Sequence, residues 1–147
     1  MRLVSPEALN NFLRHVMTDK DLHARWLNTL AYMEYIGARK IFKSQTSDSL
    51  SASVLRHAAE EARHASRLKT LAQRVSPFVV KNFHPGEVLC IDSCDYYFQT
   101  LDQEAQYRLA EDYHDEELSF LTYSYVTWLV ELRALWVYRC YDELLAG

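Results

Sequence analysis

Residues 54–68 read VLRHAAEEARHASRL, and the apolar members of this stretch recur at steps of three and four. This spacing places Val54, Ala58, Ala65 and Leu68 on one face of an α-helix. Glu61 lies on that face as well, where an apolar residue would be expected. His57 and His64 flank it four residues before and three after, so they share its face. The stretch predicts a helix that turns a carboxylate and two imidazoles toward its packing partner.

The helix before it has the same peculiarity. Residues 27–41 read LNTLAYMEYIGARKI, and Glu34 falls inside the apolar stripe formed by Leu27, Leu30, Ala38 and Ile41. No cation lies three or four residues from Glu34. Glu131 repeats the pattern in the most apolar stretch of the chain, residues 118–138, and we expect it to be buried. Three helices therefore each direct a carboxylate toward the predicted core.

An ionised carboxylate in an apolar core costs several kcal/mol unless a partner compensates its charge. One shared divalent metal centre would compensate all three carboxylates at once. Carboxylates combined with one or two imidazoles favour iron, with manganese as the alternative. Simpler explanations stay open: rotation of Glu34 toward solvent, a surface pair of Glu61 with His64, and an ion pair of Glu131 with an arginine from another helix.

The rest of the chain divides into further helices. Ser5, Pro6 and Glu7 form a typical helix start, and a short helix should follow to about Met17. The other predicted helices span about 19–43, 51–75, 87–112 and 115–145, with a polar loop at 44–49. Residues 76–86 contain Pro77, Pro85 and Gly86 and form a crossover or a packed loop. We expect one all-α domain over residues 1–147: an antiparallel four-helix bundle with a short extra N-terminal helix.

The composition limits the classes of function. A net charge of −4 without a concentration of Lys and Arg argues against nucleic-acid binding. Two charged residues, Glu131 and Arg133, near the middle of the most apolar stretch argue against a membrane span. The N-terminus lacks the apolar run of a signal peptide, and three cysteines without a C-x-x-C motif fit reduced thiols. We therefore expect a cytoplasmic protein.

Glu34 on one helix followed by Glu61-Ala-Arg-His64 on the next resembles the ferritin-like di-iron carboxylate superfamily, and rubrerythrin-type proteins in particular. In that fold, two helices of a bundle each supply a glutamate and the other two each supply an E-x-x-H motif. The resemblance implies a ferritin-like bundle that binds two irons. It makes Glu61 a bridging ligand, His64 a terminal ligand, and Glu34 and Glu131 terminal or bridging ligands. His57 would be a substitute ligand or a partner of one.

The second half of the chain departs from this pattern. Glu131 occupies the place of the second E-x-x-H motif, but Ala134 stands where the histidine would be. Glu104 is the candidate ligand from the fourth helix, because it precedes Glu131 by the same interval that separates Glu34 from Glu61. Asp95 and Asp102 are alternatives on that helix. A literal E-x-x-H also occurs at residues 111–114, across the predicted turn.

The resemblance implies an oxidase or oxygenase that uses O2 or peroxide, with a small apolar or aromatic substrate bound among the interior aromatic residues. A different class stays open: a non-catalytic helical protein that binds a ligand or a partner and retains a degenerate metal site. A haem-oxygenase-like helical fold with its own carboxylate and histidine site is a further alternative.

The last predicted helix is apolar on every side, which one bundle core can cover only in part. We therefore expect a homodimer. The competing explanation is that residues 6–17 or 78–80 cover the remaining side within one chain.

Overall fold

The computed structural model describes residues 5–43 and 50–146, and within these ranges it contains five α-helices and no strand. The helices are α1 (Pro6–Met17), α2 (Lys20–Lys43), α3 (Ala52–Val75), α4 (Ile91–Leu109) and α5 (Asp115–Ala146). The prediction of an all-helical fold is confirmed. The bounds of α1, α2, α3 and α5 agree closely with the predicted ones, and the predicted loop at 44–49 lies outside the described residues.

Side chains just before three helices explain why these helices begin where the sequence predicts. The side chain of Ser5 accepts a hydrogen bond from the backbone N–H of Ala8, at 3.1 Å. Asp19 accepts one from Leu22 at 2.8 Å, and Ser51 accepts one from Val54 at 3.3 Å. Each bond satisfies one of the free N–H groups of a first helical turn.

The α2–α3 pair is the most extensive helix pair in the described chain, and buried alanines form its seam. Ala24, Ala31 and Ala38 on α2 and Ala58, Ala65 and Ala72 on α3 recur at intervals of seven residues, and all six are buried. Side chains this small let two helix backbones approach closely. Glu34 and Glu61 project from this closely packed pair.

Successive contacts along α2 give the direction of α4. Thr29 accepts a hydrogen bond from the backbone of Leu89, Tyr32 donates one to Asp95, and Lys40 pairs with Asp102. The residue numbers increase along both segments in the same order, so α4 runs in the same direction as α2. The segment between α3 and α4 is therefore a packed loop. Helices α2 to α5 alternate in direction, whereas a ferritin-like bundle contains one long crossover.

The predicted fourth helix was too long at both ends. Residues 87–89 are not helical because their backbone groups bond to α2: Asn28 donates to the carbonyl of Glu87 at 2.8 Å, and Thr29 binds the N–H of Leu89. Cys90 then takes a left-handed conformation, with φ of 51° and ψ of 49°, before the helix begins. The chain turns between Leu109 and Asp115.

Only part of α5 packs against the rest of the chain. Its C-terminal third packs against α1, where Leu9 and Leu13 form a core cluster with Cys140. Its central part carries exposed Tyr125, Trp128, Leu132 and Leu135 on one face, and Phe120 is exposed nearer its start. Neither proposed cover reaches that face: α1 lies at the other end, Val80 is buried against α2 and α3, and Phe78 is 86% exposed. Among the described helices, we find none with the length and hydropathy of a membrane-spanning segment.

Candidate metal centre

Helices α2 and α3 bring together Glu34, Glu61 and His64. One ligand atom from each residue lies within 4.8 Å of the other two. Nδ1 of His64 is 3.7 Å from Oε2 of Glu34 and 3.9 Å from Oε1 of Glu61. A single ion could be bound by all three side chains after small rotations, because metal–ligand distances for nitrogen and oxygen are about 2.0–2.2 Å.

A second triad adjoins the first and includes α5. It consists of His57, Glu61 and Glu131, whose ligand atoms again lie within 4.8 Å of one another. Nε2 of His57 is 3.7 Å from Oε1 of Glu61 and 3.9 Å from Oε1 of Glu131. Glu61 belongs to both triads, and its Oε1 is the atom that approaches both imidazoles. Glu61 is therefore the residue through which the two triads adjoin.

The five side chains differ in their exposure to solvent. Glu61 is 9% exposed and Glu34 is 13% exposed, so Glu34 does not rotate toward solvent and Glu61 is not a surface residue. His64 and Glu131 are 50% and 56% exposed. The expectation that Glu131 is buried was wrong. Because the sequence of α5 is apolar around the whole helix, the prediction was that every side of the helix is buried. In the structure one side of α5 is exposed to solvent, and Glu131 lies at the edge of that side.

Burial and the negative charges of the neighbouring carboxylates raise the pKa of Glu61. Burial, and then a hydrogen bond and charge repulsion from Glu34, raise the pKa of Glu61 to about 8. The charge of Glu131 acts in the same direction. Glu131 was also a candidate for an ion pair with an arginine, but its ion-pair partner among the described residues is His57. Nearby Arg133 instead lies over the ring of Tyr97, 4.7 Å from its centroid. A bound cation would relieve this repulsion between the carboxylates.

Two tyrosines of α5 form hydrogen bonds with members of the triads on the other helices. The hydroxyl of Tyr138 donates to Oε1 of Glu34 at 2.5 Å, and that of Tyr123 lies 2.7 Å from Nδ1 of His57. Burial is the main cause of a raised pKa for both phenols. Steps of eight and seven residues separate Tyr123, Glu131 and Tyr138, so the sequence contained a signal for their common face.

Helix α4 contributes no member to either triad in the described chain. The prediction of Glu104 as a ligand was wrong, because this side chain faces solvent and pairs with Arg108 of its own helix at 2.7 Å. Asp95 accepts the hydroxyl of Tyr32 at 2.8 Å, and Asp102 pairs with Lys40. Glu111 and His114 are exposed in the turn between α4 and α5.

The donor set and the space between the donors both fit a metal centre. Three carboxylates and two imidazoles are hard to intermediate donors that suit iron or manganese. A small cavity of about 10 Å³ lies against Glu34, Glu61 and Glu131, and Arg133 closes another side of it. All three carboxylates thus border one space that is close in size to a single water molecule.

A larger groove leads to the second triad. It has a volume of about 1060 Å³ and lies between α2, α4 and α5, with His57, Glu61 and Glu131 in its wall. Apolar side chains form much of the wall beside them: Ile36, Phe98, Val126 and Val130. This volume is slightly above the range of about 300–1,000 Å³ that is usual for small-molecule sites. A small apolar molecule in this groove would lie beside the His57 triad.

Comparison with protein-family models, with curated proteins and with solved structures found no match to this chain.

Proposed function

We propose that this protein binds two iron ions, or manganese in their place, and uses them to oxidise a small apolar or aromatic molecule with O2 or peroxide. The observation that supports the proposal is the pair of triads that share the buried carboxylate of Glu61. In this proposal Glu34 and His64 bind one ion and His57 and Glu131 bind the other. Glu61 bridges the two.

The proposal gives His57 the part of the missing second histidine. Ala134 cannot bind a metal, but His57 lies on the opposite side of Glu61 from His64 and reaches Glu131 from α3. The ferritin-like resemblance then concerns the ligands of the α2–α3 pair. The alternating helix directions and the second histidine on α3 set this chain apart from that pattern.

The chain's own residues prepare the site and its substrate. Bound iron would supply the capacity to exchange electrons with oxygen or peroxide. Tyr138 and Tyr123 orient Glu34 and His57 through their hydrogen bonds, as partners of metal ligands commonly do. The apolar wall of the groove, including Phe98 and Val130, offers a surface on which an apolar substrate could pack beside His57 and Glu131.

Metal analysis tests this function most directly. Protein purified without chelator, or reconstituted with Fe²⁺ under nitrogen, should hold two ions per chain and consume O2 when air is admitted. Protein that takes up no Fe²⁺ or Mn²⁺ would refute the metal centre. Two bound ions without any oxygen or peroxide consumption would refute the oxidase and leave a binding protein.

That binding protein is the second candidate. The exposure of about half of the His64 and Glu131 side chains favours it, because an oxidase usually excludes water from its metal centre. In this case the groove of about 1060 Å³ would bind its ligand without redox chemistry. A ligand that binds equally to metal-free and metal-loaded protein would support this candidate.

We also propose that two copies of the chain pair through α5, in the cytoplasm, where the three free cysteines would stay reduced. Tyr125, Trp128, Leu132 and Leu135 follow one another at steps of three, four and three, which is the spacing of a helix–helix seam. All four are 45–56% exposed. We propose neither a nucleic acid nor a membrane as a binding partner.

A further inference from the structure

Gly37 lies inside α2, where glycine is an unfavourable residue. Glycine in a helix interior is less stable than alanine because the unfolded chain has more freedom to lose. Neither described glycine has a positive φ, so the backbone does not require glycine here. The helix also continues beyond it to Lys43. The reason for this glycine must lie in the space around it.

The carboxylate of Glu61 occupies that space. A Cβ atom added to Gly37 would lie 3.0 Å from Oε2 of Glu61 and 3.8 Å from its Cδ. The first distance is shorter than an ordinary van der Waals contact between carbon and oxygen. The other described glycine, Gly86, would meet nothing within 4 Å. The Glu61 carboxylate therefore lies directly against the backbone of α2 at Gly37.

We propose that Gly37 is a positioning residue for the bridging carboxylate. Because Gly37 has no side chain, the carboxylate of Glu61 can lie close to α2, where Glu34 is one helical turn before Gly37. In this position the carboxylate lies between His57 and His64. A methyl group would push the carboxylate away from α2, and with it the atom that both triads share. This inference rests on the proposed metal centre, and it adds the residue that sets the position of the shared ligand.

The substitution Gly37→Ala separates this role from a structural one. Alanine favours the helix, so the metal-free variant should keep its helicity and melt at or above the temperature of the parent protein. Its affinity for Mn²⁺ should nevertheless fall about 10–100-fold, the range found when partners of metal ligands are altered. Gly86→Ala is the matched control, and it should leave Mn²⁺ binding unchanged. Circular dichroism and a titration followed by the electron paramagnetic resonance of free Mn²⁺ supply the two readouts.

A rescue experiment tests the direction of the displacement. Glu61→Asp shortens the side chain and draws its carboxylate back toward α3, so a methyl group at position 37 should then cause little further harm. The double variant Gly37→Ala/Glu61→Asp should bind Mn²⁺ within about threefold of Glu61→Asp alone, because contacting residues act non-additively. Independent effects would instead multiply, and that result would overturn the inference.

The remaining outcomes distinguish this inference from the function beneath it. If the parent protein binds two Mn²⁺ ions and Gly37→Ala binds them equally well, the positioning role is wrong and the metal centre stands. If the parent protein binds no Mn²⁺, the metal centre itself is wrong and Gly37 has nothing to position. A metal-free Gly37→Ala variant that loses helicity would also overturn the inference, since the helices and not the carboxylate would then have moved.

Discussion

The hydroxyl of Tyr138 donates a 2.5 Å hydrogen bond to Oε1 of Glu34, across the space between α5 and α2. The bond leaves Oε2 of Glu34 as the atom that approaches His64. Burial first, and then the negative charge of Glu34, raise the pKa of Tyr138, so the phenol keeps its proton and remains a donor. In the proposed metal centre, Tyr138 would therefore determine which oxygen of Glu34 faces the metal.

We expect Tyr138→Phe to weaken metal binding by about 10–100-fold while the protein stays folded. The substitution removes only the hydroxyl that orients Glu34. Tyr32→Phe is the matched control, because it removes a hydroxyl bonded at 2.8 Å to Asp95, which belongs to neither triad. An Mn²⁺ titration of both variants decides the matter, and equal losses in the two would count against a specific role for Tyr138.

His57→Ala should reduce the bound metal from two ions to one. The substitution removes the imidazole from the triad with Glu131 but leaves Glu34, Glu61 and His64 in place. The control is His114→Ala, which alters an exposed histidine in the turn after α4 and should leave two ions bound. Elemental analysis after gel filtration gives the stoichiometry. Two ions retained by His57→Ala would show that His57 is not a ligand.

The helices whose ends carry local signals were predictable from the sequence, and α4 was not. Ser5, Asp19 and Ser51 cap the helices that they precede, so a local pattern sets those bounds. The start of α4 depends on Asn28 and Thr29, which lie about 60 residues earlier and bind the backbone that a helix would otherwise use. No local pattern records such a contact.

The residues of the candidate site were likewise predictable only where the sequence pattern shows which way a side chain faces. Glu34 and Glu61 interrupt clear apolar stripes, and both side chains lie in the interior. The burial of Glu131 was wrongly predicted because α5 has no polar face from which an orientation could be read. Glu104 was predicted because its distance from Glu131 along the sequence equals that between Glu34 and Glu61. Such an interval does not show toward which side of the helix a side chain points. Its pairing with Arg108 four residues later was the signal for a solvent-exposed position.

Glu131→Gln should remove metal without removing stability. The side chain is 56% exposed, so we expect the free energy of unfolding of the metal-free protein to change by less than about 0.5 kcal/mol. The loss of one carboxylate should lower the metal content of the triad with His57. Glu104→Gln, on the exposed face of α4, should change neither quantity. A Glu131→Gln variant that keeps its full metal content would show that Glu131 is not a ligand.

Acid should destabilise the metal-free protein partly through His23. Burial lowers the pKa of His23 below its usual 6.5, and Nε2 of this residue contacts the hydroxyl of Tyr141. Below pH 6.5 the unfolded chain binds a proton that the folded chain accepts less readily, so stability is lost as the pH falls through that range. His23→Gln should therefore lose less stability between pH 7.5 and 5.5 than the parent protein does. Urea unfolding at pH 7.5 and at pH 5.5 measures the free energy of unfolding of each variant. The control is His84→Gln, at an exposed position, which should lose as much stability as the parent protein.

Leu132→Glu should convert a dimer into a monomer. Leu132 lies in the exposed seam of α5 and is itself 45% exposed, so a glutamate there would be solvated in the monomer but desolvated between two copies. Light scattering at micromolar concentration should give twice the 17.2 kDa chain mass for the parent protein and the single mass for the variant. Leu71→Glu is the matched control, since Leu71 is 46% exposed on α3 and lies outside the seam. A parent protein that scatters as a monomer would remove the dimer from the proposal, and a Leu132→Glu variant that remains dimeric would assign the interface to another surface.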